Sequence, residues 1–216
     1  MPKQHTVKQG EHISRIAEQY GFRTHQVIWD HPANAELKKR RQNPNVLYPG
    51  DQIQIPDKEA KRESKPTGQR HRFQLKGEEI TLRLVVEDIH GKPIANADCE
   101  LRVEGKVYQL KSDANGRIEQ QVPASSEKGE LAVKNAETPW KEQTINLQIG
   151  HLDPVEELSG QVGRLNNLGY YAGGVDPLDE LLLQSAVEEF QCDYGLAVDG
   201  ECGPDTQKKL LEVHGC

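Results

Sequence analysis

His5-Thr6-Val7-Lys8-Gln9-Gly10-Glu11-His12-Ile13 and, further on, Leu47-Tyr48-Pro49-Gly50-Asp51-Gln52-Ile53-Gln54-Ile55-Pro56 bracket one small unit. Each end alternates like a short strand, and the middle is helical. Ile13, Ile16, Ala17 and Tyr20 fall at i, i+3, i+4 and i+7, one face of a helix, and Gly21 supplies its C-terminal stop. Thr24 is placed to cap a second helix carrying Val27, Ile28 and Trp29. His31-Pro32 ends that helix, because the residue before proline is pushed out of the α region. A basic segment over residues 33–41, with Lys38, Lys39, Arg40 and Arg41, enlarges the middle by an extra helical turn.

The order strand–helix–helix–strand, with V-K-Q-G-E-x-I-x-x-I-A-x-x-Y-G and N-P-N-x-L-Y-P-G-D-x-I-x-I-P at its edges, resembles a LysM domain. That family binds glycans built on N-acetylglucosamine, chiefly peptidoglycan and chitin. The resemblance implies a groove between two loops: Gly10, Glu11, His12 and Ile13 on one side, Asn43, Pro44, Asn45 and Val46 on the other. One departure stands out. Family members carry Asp-Thr or Asp-Ser after the first glycine, where Glu11-His12 is a poorer helix cap.

Working outward, residues 57–72 are charged and nearly free of apolar side chains, which reads as a linker. From Phe73 the period changes to two. Ile80, Leu82, Leu84 and Val86 alternate with polar neighbours, as do Cys99, Leu101 and Val103, then Ile118, Gln120 and Val122, then Ile145, Leu147 and Ile149. Turn signals separate these runs at residues 88–91, at Glu104-Gly105, at residues 113–116 and at 127–129. The spacing predicts an antiparallel β-sandwich over residues 73–150. The run Val86 to Ala97, followed by S-D-A-N-G from Ser112, is similar to the carboxypeptidase-regulatory or transthyretin-like sandwich, mostly a spacer. Asp113 and Asn115 are read as turn-formers, since no further carboxylates complete a calcium shell.

Asp153-Pro154-Val155-Glu156 has the composition of a helix start: an Asp cap, Pro at the first position and Glu at the capping-box spacing. Leu158, Val162, Leu165 and Leu168 then form one stripe. A 23-residue repeat follows, pairing Val175, Asp176, Gln184, Val187 and Phe190 with Val198, Asp199, Gln207, Leu210 and Val213. With L-x-x-L-G-Y-Y and G-L-A-V-D-G-E-C-G-P-D-T, residues 151–216 closely resemble the three-helix peptidoglycan-binding domain appended to wall hydrolases. Its implied ligand residues are Tyr170, Tyr171, Asp176 and Asp199. The tyrosines can stack on a sugar face, although one of the two belongs to the core, and the aspartates can hydrogen-bond their own turns.

The expected fold is therefore a multidomain α+β chain: a βααβ LysM-like unit (1–56), a linker (57–72), a β-sandwich (73–150) and a small three-helix domain (151–216). Charge is uneven. Residues 1–72 hold 14 Lys/Arg against 8 Asp/Glu, and residues 151–216 hold 3 against 13. The acidic part argues against nucleic acid and anionic membranes as partners. Met1-Pro-Lys-Gln-His lacks the apolar segment of a cleavable leader. The expectation is synthesis in the cytoplasm without a signal peptide, with delivery to the periplasm or outside by a secretion apparatus.

No catalytic residue, metal site or cofactor is expected. The four cysteines show no C-x-x-C pair. Cys192, Cys202 and Cys216 share one domain, where a Cys192–Cys202 disulfide is open after export and stays reduced in the cytosol. His214-Gly215-Cys216 is similar to part of an L,D-transpeptidase motif, without the upstream pattern or the arginine that follows it there. The clustered His5, His12, His25 and His31 read as surface residues. Two functions from different classes remain. One is a non-catalytic peptidoglycan binder with a recognition module at each end. The other, on the resemblance of the N-terminal unit to LysM-like modules of phage-tail baseplates, is an adaptor of a type VI secretion or related contractile injection apparatus that docks spike or effector proteins.

Overall fold

The computed structural model describes residues 3–58, 64, 66–71, 77–88, 90–134 and 142–216. Much of the expected linker, and the Phe73 start of the β region, lie outside them. Three separate apolar clusters organise the rest.

In the first, β1 (Lys3–Thr6) pairs antiparallel with β2 (Gln52–Ile55), with His5 opposite Ile53. Helix α1 (Ile13–Gln19) buries Ile13, Ile16 and Ala17 against this ribbon, and Gly21 turns the chain at a φ of +69°. Each of the two fully buried isoleucines contributes roughly 1.5–3 kcal/mol. Helix α2 (Gln26–Trp29) begins one turn residue later than expected. His25 stands at its N-cap, not Thr24, and Val27 faces outward at 50% exposure. The basic segment forms a 3-10 turn (Pro32–Asn34) and α3 (Ala35–Arg41). Asn34 is the stitch here. Its buried amide donates to Ile28 O and Gln54 O and accepts from Gln54 N, extending the ribbon with a side chain.

The second cluster lies between two antiparallel sheets. β3 (Glu79–Val85) pairs with β6 (Arg117–Pro123), with Leu84 opposite Ile118. The other sheet has the order β5-β4-β7-β8, built from β4 (Asp98–Val103), β5 (Lys106–Lys111), β7 (Lys128–Lys134) and β8 (Glu142–Gln148). Glu104 and Gly105 both take positive φ and close the β4–β5 hairpin, the geometry that matches strand twist. Asp113 accepts from Asn115 N and Arg117 N, so it does form the turn. Two strands, β5 and β7, were not expected. The turn read at 127–129 sits earlier, at residues 124–125, and β7 already begins at Lys128. Leu131, Ala132 and Val133 are all buried, so β7 lacks the alternation that betrays a one-sided strand.

The third cluster joins α4 (Leu158–Asn167), α5 (Glu180–Asp193) and α6 (Pro204–His214). Helix α4 starts at Leu158 and not at Pro154. Residues 153–155 instead pack over Gly160, where a side chain would run into Pro154 O, and Asp153 accepts from Ser159 Oγ at 2.6 Å. Leu158 is consequently 40% exposed and drops out of the core stripe. Buried Arg164 braces the unit, donating to Asp153 O, Gly160 O and Cys216 O, all at 2.8 Å. Among the described residues, no helix is long and apolar enough to cross a membrane.

Candidate functional site

The two loops implied as a glycan groove do meet: Ile13 N donates to Pro44 O at 3.1 Å. Their members differ in availability. Ile13 and Val46 are core residues at 0% and 6% exposure. The Glu11 carboxylate is held by Lys8 N and His5 Nε2, so it closes its own turn. Asn43 accepts from Asn45 N in a local turn, which leaves Asn45 exposed and Asn43 and Pro44 half-buried.

Gly10 and His12 are covered by the protein's own distant segments. The His151 ring lies on Gly10, and a methyl built there would stand 2.8 Å from Nε2. Gly150 lies against the His12 ring with room for no side chain, since its own methyl would be 2.8 Å from Cδ2. Gln9 donates to Asp153 Oδ1 at 3.2 Å, Arg15 pairs with Glu127, and His25 Nδ1 meets Glu78 Oε1 at 2.6 Å. The N-terminal unit is thus docked on both the two-sheet unit and the start of the helical one.

This corrects the reading of surface histidines. His5 is buried between Tyr20 and Glu11, and His12 is 1% exposed. Neither His12 ring nitrogen has a hydrogen-bond partner among the described residues. Burial is the main reason its pKa falls to about 4, and the Arg15 charge adds to it. The nearby Ala124 main chain opposes the shift, without normal hydrogen-bond geometry.

In the helical unit the four implied ligand residues part company. Tyr170 packs edge-on against Phe190 at 5.4 Å and donates to Asp193 Oδ2, and burial pushes its phenol well above the ordinary value. Tyr171 is 73% exposed. Asp199 accepts from Glu201 N and Gln191 Nε2, bonds that lower its pKa, and it lines a cleft of about 430 Å³ with Leu196, Pro204 and Lys208. None of the other three lines that cleft. Asp176 sits in the exposed turn before α5, and it is Asp179 that caps the helix, accepting from Leu181 N and Leu182 N. The feature the sequence did not reveal is buried Gln191. Its amide donates to Asp199, Glu201 O and Thr206, and its oxygen accepts from Asp199 N and Gly200 N.

All four cysteines are free thiols, so Cys192 and Cys202 are not paired here: Cys192 is exposed, whereas Cys202 packs toward the third cluster and burial raises its pKa to about 11. Cys216 Sγ lies 3.3 Å from His214 Nδ1, but burial raises the thiol and lowers the imidazole, the reverse of an activated thiolate pair. Among the described residues, no group of three metal-binding side chains forms.

Comparison with known proteins agrees with both ends. Residues 5–28 match the LysM domain, a match that stops before the basic segment, and residues 163–210 match the putative peptidoglycan binding domain. The chain is 35% identical over 79 residues to N-acetylmuramoyl-L-alanine amidase CwlM of Mycobacterium tuberculosis, covering 37% of this chain and 20% of that protein. It therefore spans about a fifth of the length of this relative. No solved structure matches. The chain carries a LysM domain toward its N-terminus and a peptidoglycan-binding domain toward its C-terminus.

Proposed function

We propose that this protein binds peptidoglycan without altering it chemically, through a recognition module at each end of the two-sheet unit, which acts as a spacer of the carboxypeptidase-regulatory type. The observation that carries the reading is the presence in one chain of two domains whose families recognise the cell wall. Two weak sites on one body gain avidity by effective concentration. The exposed Tyr171 ring offers a flat apolar face for a sugar. The unactivated His214–Cys216 pair supports binding over chemistry. Likeness to a protein named as an amidase covers too little of that protein to bring its activity here.

A second reading is favoured by one observation, the cover over Gly10 and His12. On this reading the LysM domain is an assembly element, and the protein is an adaptor in a contractile injection apparatus. Sedimentation with purified sacculi separates the two. Retention by murein that falls with Tyr171→Ala supports the binder. Failure to sediment, with a spike or effector protein co-purifying, supports the adaptor.

A further inference from the structure

We propose that the contact between the LysM domain and the rest of the chain is a latch: residues 124–127 and 150–153 mask the 10–13 loop, and the loop takes an N-acetylglucosamine chain only when the LysM domain swings away from them. The inference rests on the peptidoglycan reading and adds how that site is controlled.

Three observations carry it. The cover is direct, because His151 lies on Gly10 and Gly150 lies against His12, so no sugar reaches these two residues while the contact persists. The cover is also the chain's own, with Gln9–Asp153, Arg15–Glu127 and His25–Glu78 holding it. Finally, the contact is built to be loose. The buried side-chain polar atoms without a partner among the described residues are His12 Nδ1, His12 Nε2 and Ser126 Oγ. All belong to the loop or to the segment that covers it. Buried groups of this kind normally find partners, and water would satisfy all three once the surfaces part. The Arg15–Glu127 pair across the contact is part-exposed, at 27% and 48%, and holds only weakly, which leaves His25–Glu78 as the firmer tie. The apolar core of the LysM domain, with Ile13, Ile16, Ile28, Trp29 and Ile53, draws on no residue of 124–127 or 150–153 and survives the parting.

The test uses the full chain and the N-acetylglucosamine hexamer as probe, with affinity read by calorimetry and opening read by amide hydrogen exchange over residues 8–16. Glu127→Lys sets two cations against each other, and His151→Ala uncovers Gly10. Both variants should raise exchange in the loop and tighten binding about tenfold or more, because affinity is reduced by the fraction of molecules that are closed. Adding Asn45→Ala to either should remove the gain, and Arg15→Glu with Glu127→Lys should re-close the latch. Equal affinity for wild type and for variants whose loop has opened overturns the latch and leaves the peptidoglycan reading standing. No binding by the opened variants overturns glycan recognition at this loop and the latch with it. Unchanged exchange in both variants also overturns the latch.

Discussion

The His151 imidazole lies over Gly10, 141 positions away in sequence, so closely that a β-carbon on Gly10 would stand 2.8 Å from its Nε2. Gly10 also needs its positive φ of +81°. Gly10→Ala should therefore destabilise the protein by about 1–3 kcal/mol, from backbone strain and the clash together. Repeating it in a His151→Ala background should recover the clash component alone, which a double-mutant cycle in urea measures.

Buried His12 makes the same contact sensitive to acid. Its folded pKa of about 4 lies below the 6.5 of a free histidine, so the opened or unfolded chain binds the extra proton. Nothing is lost above pH 6.5. Stability then falls by roughly 1.4 kcal/mol per pH unit and levels off near pH 4, a total on the order of 3 kcal/mol. Arg15 and His25 add to the penalty and Glu78 opposes it. His12→Leu should flatten this part of the melting-temperature profile between pH 6.5 and 4, which thermal scans at stepped pH will show.

Asp51 holds the end of the LysM domain closed. Its carboxylate, 4% exposed, accepts from Arg41 Nε at 2.8 Å, from Arg40 and from Tyr48 N, and its hydrogen bond is the main reason the Arg41 guanidinium is held more basic than usual. Asp51→Ala should cost about 2–4 kcal/mol, because it strands a largely buried guanidinium and a backbone N–H. Denaturant unfolding reports it.

Gln191 plays the matching part in the helical unit. Gln191→Leu leaves Asp199 N and Gly200 N without their acceptor and should cost about 2–3 kcal/mol. Hydrogen exchange should localise the loss to the turn before α6, with the LysM amides unaffected.

The two adjacent tyrosines should behave oppositely. Tyr170→Ala removes the contact with Phe190 and the bond to Asp193 and should cost about 3 kcal/mol of stability. Tyr171→Ala should leave melting within about 0.5 kcal/mol of wild type while weakening sedimentation with sacculi.

Local pattern alone determined much of this protein. The Ile13, Ile16, Ala17 stripe with its glycine stop, the Glu104-Gly105 turn and the repeated turn-then-helix all follow from near-neighbour sterics and periodicity, and all are found. Tertiary structure decided the rest. Strand β7, inside its sheet between β4 and β8, buries Ala132 on one face as well as Leu131 and Val133 on the other, so it shows no period to read. Asp153 and Pro154 have the composition of a helix start, yet the chain spends them packing over Gly160. His12 and Gln191 are polar residues that a single sequence places at the surface. Each is buried by partners brought from elsewhere, within eight to fifteen positions for Gln191 and beyond a hundred for His12. Periodicity reports which face of an element is apolar; what comes to lie on a polar face depends on how separate units dock, and that is where access to the candidate site is set.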